Sequence, residues 1–271
     1  MAAAERGVNA EGGPVVRVER RAEVAWVTLD VPERMNAYDL ATARELIAAL
    51  DKTADAGVVA ITGTGRAFCA GGYLANLAEA SETELRSLFQ ASLDLYDTIR
   101  RHPRPVIAAV NGAAFGGGNE LVVACDLAIA AESARFGQTG PRVGSAPVLG
   151  GTNMLALIAG EKRAKEISLL CRPYDARQAH ELGMVNAVVA DAELEAEVGR
   201  WADELLALSP RYLEIAKISS NVWWDACRGS FLSGLGMLAQ AAGSEDMREG
   251  AQAFLEKRKP RFPGRAPRED A

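Results

Sequence analysis

The chain is poor in the side chains that most often build metal and redox centres. Only two of its 271 residues are histidine, His102 and His180, and four are cysteine, so a histidine-rich metal site is not expected. His180 falls in a helical stretch, 176–182, and His102 in a turn before Pro103. Cys69, Cys125, Cys171 and Cys227 are scattered among apolar neighbours, and no pair has CxxC spacing. That argues against a zinc knot or a dithiol redox motif and for buried free thiols in a cytoplasmic protein. No Gly-x-x-x-x-Gly-Lys-Ser/Thr occurs, which excludes a phosphate-cradling P-loop, and no Gly-x-Ser-x-Gly elbow occurs either. Basic residues are not in excess: the net charge is −6, which argues against a general nucleic-acid binder. No apolar run is long enough to span a membrane. The opening Met1-Ala-Ala-Ala-Glu-Arg-Gly lacks the apolar core of a secretory signal and reads as part of a loose tail.

Glycine is abundant, at 26 residues, and it is concentrated where strands end. The apolar run Val106 to Val110 predicts a fully buried strand. Asn111-Gly112 breaks it, Gly116-Gly117-Gly118 follows, and then Asn119 to Cys125 predicts a short apolar helix. The start of such a helix leaves N–H groups unpaired and carries a partial positive charge. Glycine lets a ligand approach those groups closely. One carboxylate, Glu120, enters the same turn. A second glycine-rich loop, Gly63 to Gly72, leaves another predicted strand, Val58 to Thr62. Its Gly63-x-Gly65 has Phe68 where a dinucleotide fingerprint needs glycine.

Around these loops, Val15 to Arg20 and Val24 to Leu29 predict an opening hairpin. Leu40 to Leu50 predicts an amphipathic helix capped by Asp39, and Glu82 to Arg100 a long helix ended by Pro103 and Pro105. Asp126 to Ala130 predicts a short strand. Arg135 to Pro147 is too rich in turn formers for regular structure. Further helices are predicted over 152–159, 162–170, 176–182, 194–208, 211–224, 232–242 and 245–257, with a strand at 185–189. The pattern is α/β, divided into a tail (1–14), a core (15–200) and a helical C-terminal region (201–271).

Arg66-Ala-Phe-Cys-Ala-Gly-Gly72 and Val110-Asn-Gly-Ala-Ala-Phe-Gly-Gly-Gly-Asn-Glu120 closely resemble the two signatures of the crotonase (enoyl-CoA hydratase/isomerase) superfamily. The resemblance spans about residues 15 to 262 and includes Val31-Pro-Glu-Arg-Met-Asn-Ala37. It implies a spiral of ββα units with a helical trimerisation region, a homotrimer or dimer of trimers, and a CoA thioester substrate with no separate cofactor. By that resemblance the N–H groups of Gly72 and Gly117 hold the thioester oxygen. Arg34, Met35, Ala37 and Ala70 line the path of CoA, and Lys257 with its basic neighbours meets CoA phosphates, on an adjacent subunit if not its own.

The chain departs from the usual hydratase in one carboxylate. The first matches Glu120; the position of the second, two residues after Gln138, is Gly140. The space left at Gly140 is expected to hold a water, an anion such as bicarbonate, or more substrate. Gly137 to Ser145 resembles dihydroxynaphthoyl-CoA synthases and alicyclic oxoacyl-CoA hydrolases, although the Asp that follows Gly-Ser in several of them is absent here. Tyr73 stands where most members have Asp. Tyr73, Gln138, Gly140 and Ser145 are therefore substrate-contact candidates. Glu120 is expected to serve as base or proton shuttle, with a pKa tuned upward by an apolar pocket. Water addition to, or hydrolytic opening of, a cyclic acyl-CoA is the leading expectation. An ordinary one-glutamate hydratase or isomerase and a non-catalytic acyl-CoA binder stand beside it.

Overall fold

Three times a buried strand runs into a short turn and then a three-residue strand of a second sheet. The computed structural model describes residues 9–75 and 80–263. The first such strand is β3 (Val58–Gly63), followed by β4 (Ala67–Cys69). The second is β5 (Val106–Val110) with β6 (Ala113–Phe115), and the third β7 (Leu127–Ala131) with β8 (Arg135–Gly137). Runs such as Val-Ile-Ala-Ala-Val have no polar face, so they settle where both faces are covered.

The opening hairpin forms as expected, with β1 (Val16–Arg21) antiparallel to β2 (Val24–Leu29). Parallel pairing then extends the first sheet through β2, β3, β5 and β7 to β10 (Ala187–Val189). The second sheet has the order β4, β6, β8 and β9 (Tyr174–Asp175), with β9 antiparallel. Strand β8 and a 3₁₀ turn over Gly140–Arg142 correct the expectation that 135–147 has no regular structure. Three residues held by β6 are too few to show alternation in sequence.

Helix α1 (Leu40–Asp51) starts at Asp39, whose side chain accepts the Thr42 N–H at 2.8 Å. Helix α2 (Glu82–Arg101) starts at a capping box of Ser81 and Glu84, and turns Leu85, Leu88, Phe89, Tyr96 and Ile99 inward. With α3 (Gly117–Ala124) they cover one face of the first sheet. The other face is closed by α7 (Leu194–Leu206), which buries Leu194, Val198 and Ala202 against Trp26, Ile107 and Ile129. Between β7 and α7 lie α4 (Met154–Ala159), α5 (Glu161–Leu170) and α6 (Ala176–Glu181).

The helical region comprises α8 (Pro210–Ser220), α9 (Val222–Ala226), α10 (Arg228–Gln240) and α11 (Glu245–Leu255). One helix was expected over 211–224. It breaks at Asn221, whose side chain donates to the Arg100 carbonyl at 2.7 Å, a bond that competes with continued helix. Trp224 is buried against Phe231, with ring centroids 4.6 Å apart, and donates to Asp97 of α2 at 2.9 Å. Of the expected N-terminal tail, residues 1–8 lie outside the described residues, and Asn9–Gly13 closes a turn. No described helix is long and apolar enough to cross a membrane.

Candidate active site

The two glycine loops meet where β4 and β6 lie side by side. Helix α3 begins so close to β4 that a β-carbon at Gly118 would collide with the Cys69 carbonyl oxygen. Gly71, in the left-handed region at φ +91, would place a β-carbon 2.8 Å from the Gly117 nitrogen. Only glycine satisfies both contacts.

This packing brings two glycines to one cavity. Gly117 is the first residue of α3, so its N–H has no acceptor within the helix. Gly72 forms a parallel bridge with Tyr38. Tyr38 donates its N–H to Gly71 O at 2.8 Å and accepts from Tyr73 N at 3.0 Å. In that pairing the N–H of Gly72 itself faces away from the 31–38 loop. Both glycines line one cavity of about 100 Å³.

Glu120, one turn into α3, lines the same cavity and is 6% exposed. Its Oε1 accepts the N–H groups of Leu149 at 2.8 Å and Gly151 at 3.1 Å. Burial pushes its pKa up to about 7, and the two bonds only partly oppose that shift. Burial thus makes this carboxyl far easier to protonate than an exposed glutamate. Among the described residues lining the cavity, Glu120 is the one carboxylate.

Of the expected site residues, the cavity gathers Ala70, Gly72, Gly117, Glu120, Gln138, Gly140 and Ser145. Gln138 is fully buried and turned toward α3, donating Nε2–H to Asn119 Oδ1 at 3.0 Å. Gly140 has little room in one direction. A β-carbon there would stand 2.9 Å from Ala146 Cα and 3.0 Å from the Ser145 carbonyl carbon. The 145–146 backbone stands in the direction a side chain would take, while Gly140 itself lines the cavity.

Arg34, Met35, Ala37, Tyr73 and Lys257 do not line the cavity. Met35 and Asn36 both take left-handed backbone, and the Met35 carbonyl accepts Ala70 N–H at 3.0 Å, which lays the 31–38 loop beside Ala70. The Asn36 side chain fastens that loop to the Thr64 and Ala67 carbonyls at 2.9 and 2.7 Å. Arg34 bonds Asp39 at 2.8 Å and lies over the Tyr73 ring, 4.9 Å from its centroid. Tyr73 thus packs on Arg34 outside the cavity. Lys257 sits two residues past α11 and does not line the cavity.

Sequence reading missed two phenols. Tyr38 lines the cavity, and its hydroxyl lies 2.9 Å from that of Tyr96, which donates to the Gly117 carbonyl at 2.8 Å. Tyr38 follows directly on the quoted Ala37, but its partner is 58 positions away on α2, where an aromatic reads as core.

A family profile described as Enoyl-CoA hydratase/isomerase matches residues 19–265. An enoyl-CoA hydratase from Bacillus anthracis is 33% identical, over 93% of this chain and 100% of that one, with a TM-score of 0.75. A carnitinyl-CoA hydratase from Mycobacterium avium is 30% identical over 93% and 99%, with a TM-score of 0.80. An enoyl-CoA hydratase from Mycobacterium avium subsp. paratuberculosis is 26% identical over 88% and 98%, with a TM-score of 0.81. With two glycine loops packed together, a buried carboxyl between them and this coverage, the chain belongs to the enoyl-CoA hydratase/isomerase, or crotonase, family.

Proposed function

We propose that the protein acts on a cyclic acyl-CoA, adding water to it or opening its ring hydrolytically through a thioester enolate. Gly72 and Gly117 donate their N–H groups to the thioester oxygen as it gains charge; one such donor is commonly worth roughly 3–4 kcal/mol of barrier. Glu120 moves the protons. The observation that carries this reading is that, among the described residues, one carboxyl group, the buried Glu120, lines the cavity beside Gly72 and Gly117, with burial raising its pKa.

One carboxyl group suits a reaction in which the proton taken is the proton returned. In ring opening, Glu120 takes a proton from water as its oxygen attacks a ring ketone. The bond between that carbonyl carbon and Cα breaks, its electron pair becomes the enolate, and Glu120 returns the proton to Cα. The products are a carboxylic acid and a saturated Cα on the same chain. The same group also fits a double-bond shift, in which one carboxylate takes a proton from one carbon and returns it to another.

Coenzyme A is taken to run past Ala70 and the Arg34–Ala37 loop, with Lys257 and its basic neighbours reserved for its phosphates. Large apolar side chains exposed on the helical region support a homotrimer or a dimer of trimers; Tyr212, Trp223 and Met237 are 70%, 60% and 63% exposed.

The test is mass spectrometry of crotonyl-CoA, a cyclohexene carboxyl-CoA, 2-oxocyclohexane carboxyl-CoA and 6-oxocyclohexene carboxyl-CoA with enzyme and with Glu120→Gln. Water gain with an acid-bearing open-chain product supports ring hydrolysis. Hydration of crotonyl-CoA alone overturns it in favour of ordinary one-glutamate hydration. Undiminished turnover by Glu120→Gln removes the proton-transfer role.

A further inference from the structure

Both N–H donors depend on one residue that is neither glycine nor acid. The backbone of Tyr38 bonds to both sides of Gly72, through Gly71 O at 2.8 Å and Tyr73 N at 3.0 Å. Its side chain reaches the other donor through Tyr96. The single hydroxyl hydrogen of Tyr96 goes to the Gly117 carbonyl at 2.8 Å. With that hydrogen on the carbonyl, the 2.9 Å bond between the phenols is one that Tyr38, which also neighbours the Ser92 hydroxyl, donates and Tyr96 accepts.

The Gly117 end needs such a hold. Gly116, Gly117 and Gly118 offer no side chain for packing, and glycine backbones have the widest conformational choice. Upstream, Gly116 N–H donates to Gly137 O at 2.9 Å, which anchors one side of the turn. Tyr96 anchors the other. Tyr38 and Tyr96 are 3% and 0% exposed, and burial raises the pKa of both hydroxyls, so the chain of donors stays protonated. A bond donated by Tyr38 also polarises the Tyr96 hydroxyl, strengthening its own donation.

We propose that Tyr38 and Tyr96 are positioning residues that set the spacing and aim of the Gly72 and Gly117 donors, Tyr38 bracing both at once. The proposal rests on the oxyanion role assigned to those glycines. Oxyanion donors act only as well as they are aimed, because their advantage comes from being placed before charge develops.

The test removes one hydroxyl at a time, with Tyr38→Phe and Tyr96→Phe, leaving rings and backbone bonds in place. Turnover on whichever CoA ester the enzyme converts is expected to fall about tenfold or more in kcat, with KM held within about twofold. Infrared difference spectra of a bound, non-reacting acyl-CoA are expected to lose part of the thioester carbonyl shift that the wild type produces. A role in packing alone would lower thermal stability and leave that shift intact. Should a Phe variant fold poorly, 3,5-difluorotyrosine at position 96 keeps ring and hydroxyl but makes the phenol a stronger donor, and is expected to change the shift. Wild-type kcat with an undiminished shift in both Phe variants overturns the proposal, as does a change confined to KM. The carbonyl measurement involves no turnover, so it separates this failure from that of the proposed reaction, which Glu120→Gln reports.

Discussion

Lys217 of α8 reaches into the core and holds Asp126, at the end of the α3 turn, at 2.7 Å. Its ammonium also donates to the Ile99 and Arg104 carbonyls at 2.9 and 2.8 Å, and Asp126 accepts the Val106 N–H at 2.7 Å. Burial lowers the Lys217 pKa and raises that of Asp126, and each charge opposes that shift in the other. Lys217→Met leaves a buried carboxylate alone and is expected to cost about 3–5 kcal/mol. Adding Asp126→Asn should restore part of the loss. Urea unfolding checks both, and an unchanged midpoint in the single variant would refute the pairing.

Stability is expected to carry the signature of Glu120. Its folded pKa is about 7 against an ordinary 4.5, so between those values the folded chain binds the proton that the unfolded chain has released. This group's contribution therefore falls as pH rises from about 4.5 to 7 and is level above, a loss on the order of 3 kcal/mol. Glu120→Gln removes the buried charge and keeps an oxygen for Leu149 and Gly151. At about pH 8 it should unfold at higher denaturant than the wild type, and at about pH 5 the two should converge. Its turnover should be at least about a hundredfold lower.

Two glycine-to-alanine changes should act in opposite directions. At Gly118 the new methyl meets the Cys69 carbonyl and neighbouring backbone that cannot retreat, so roughly 3 kcal/mol or more is lost. At Gly199, inside α7, nothing stands within 4 Å of the new β-carbon, so a gain of about 0.5–1 kcal/mol is expected. Paired thermal melts decide it; equal effects would contradict the packing of α3 on β4.

Gly140→Glu is expected not to create a two-carboxylate hydratase. Its β-carbon meets Ala146, so the change should lower the melting temperature without raising crotonyl-CoA hydration. A large gain in hydration by this variant alone would show that the 145–146 backbone yields readily.

Much of this was legible in the chain itself. Val58 to Ile61 and Val106 to Val110 announce buried strands because they carry no polar side chain, and the glycine loops follow soon after. Glu120 could be placed because it lies within one turn of Gly117. The closure at Gly140 could not, because Ala146 approaches through a turn whose path no local pattern records. The Tyr38–Tyr96 contact was equally hidden, since partners far apart in sequence meet only when α2 packs over the loop. Asn221 likewise reads as a tolerable helix residue until Arg100 offers it a carbonyl.

Glu120 binds both loop N–H groups through the same oxygen, Oε1. In the proposed reaction that leaves Oε2 to face the reacting carbon, from one side of a planar enolate. In the proposed reaction the proton is therefore delivered to a single face. Run in deuterated water, the product would carry its label in one configuration at Cα, making the hand of the product a property of two backbone amides.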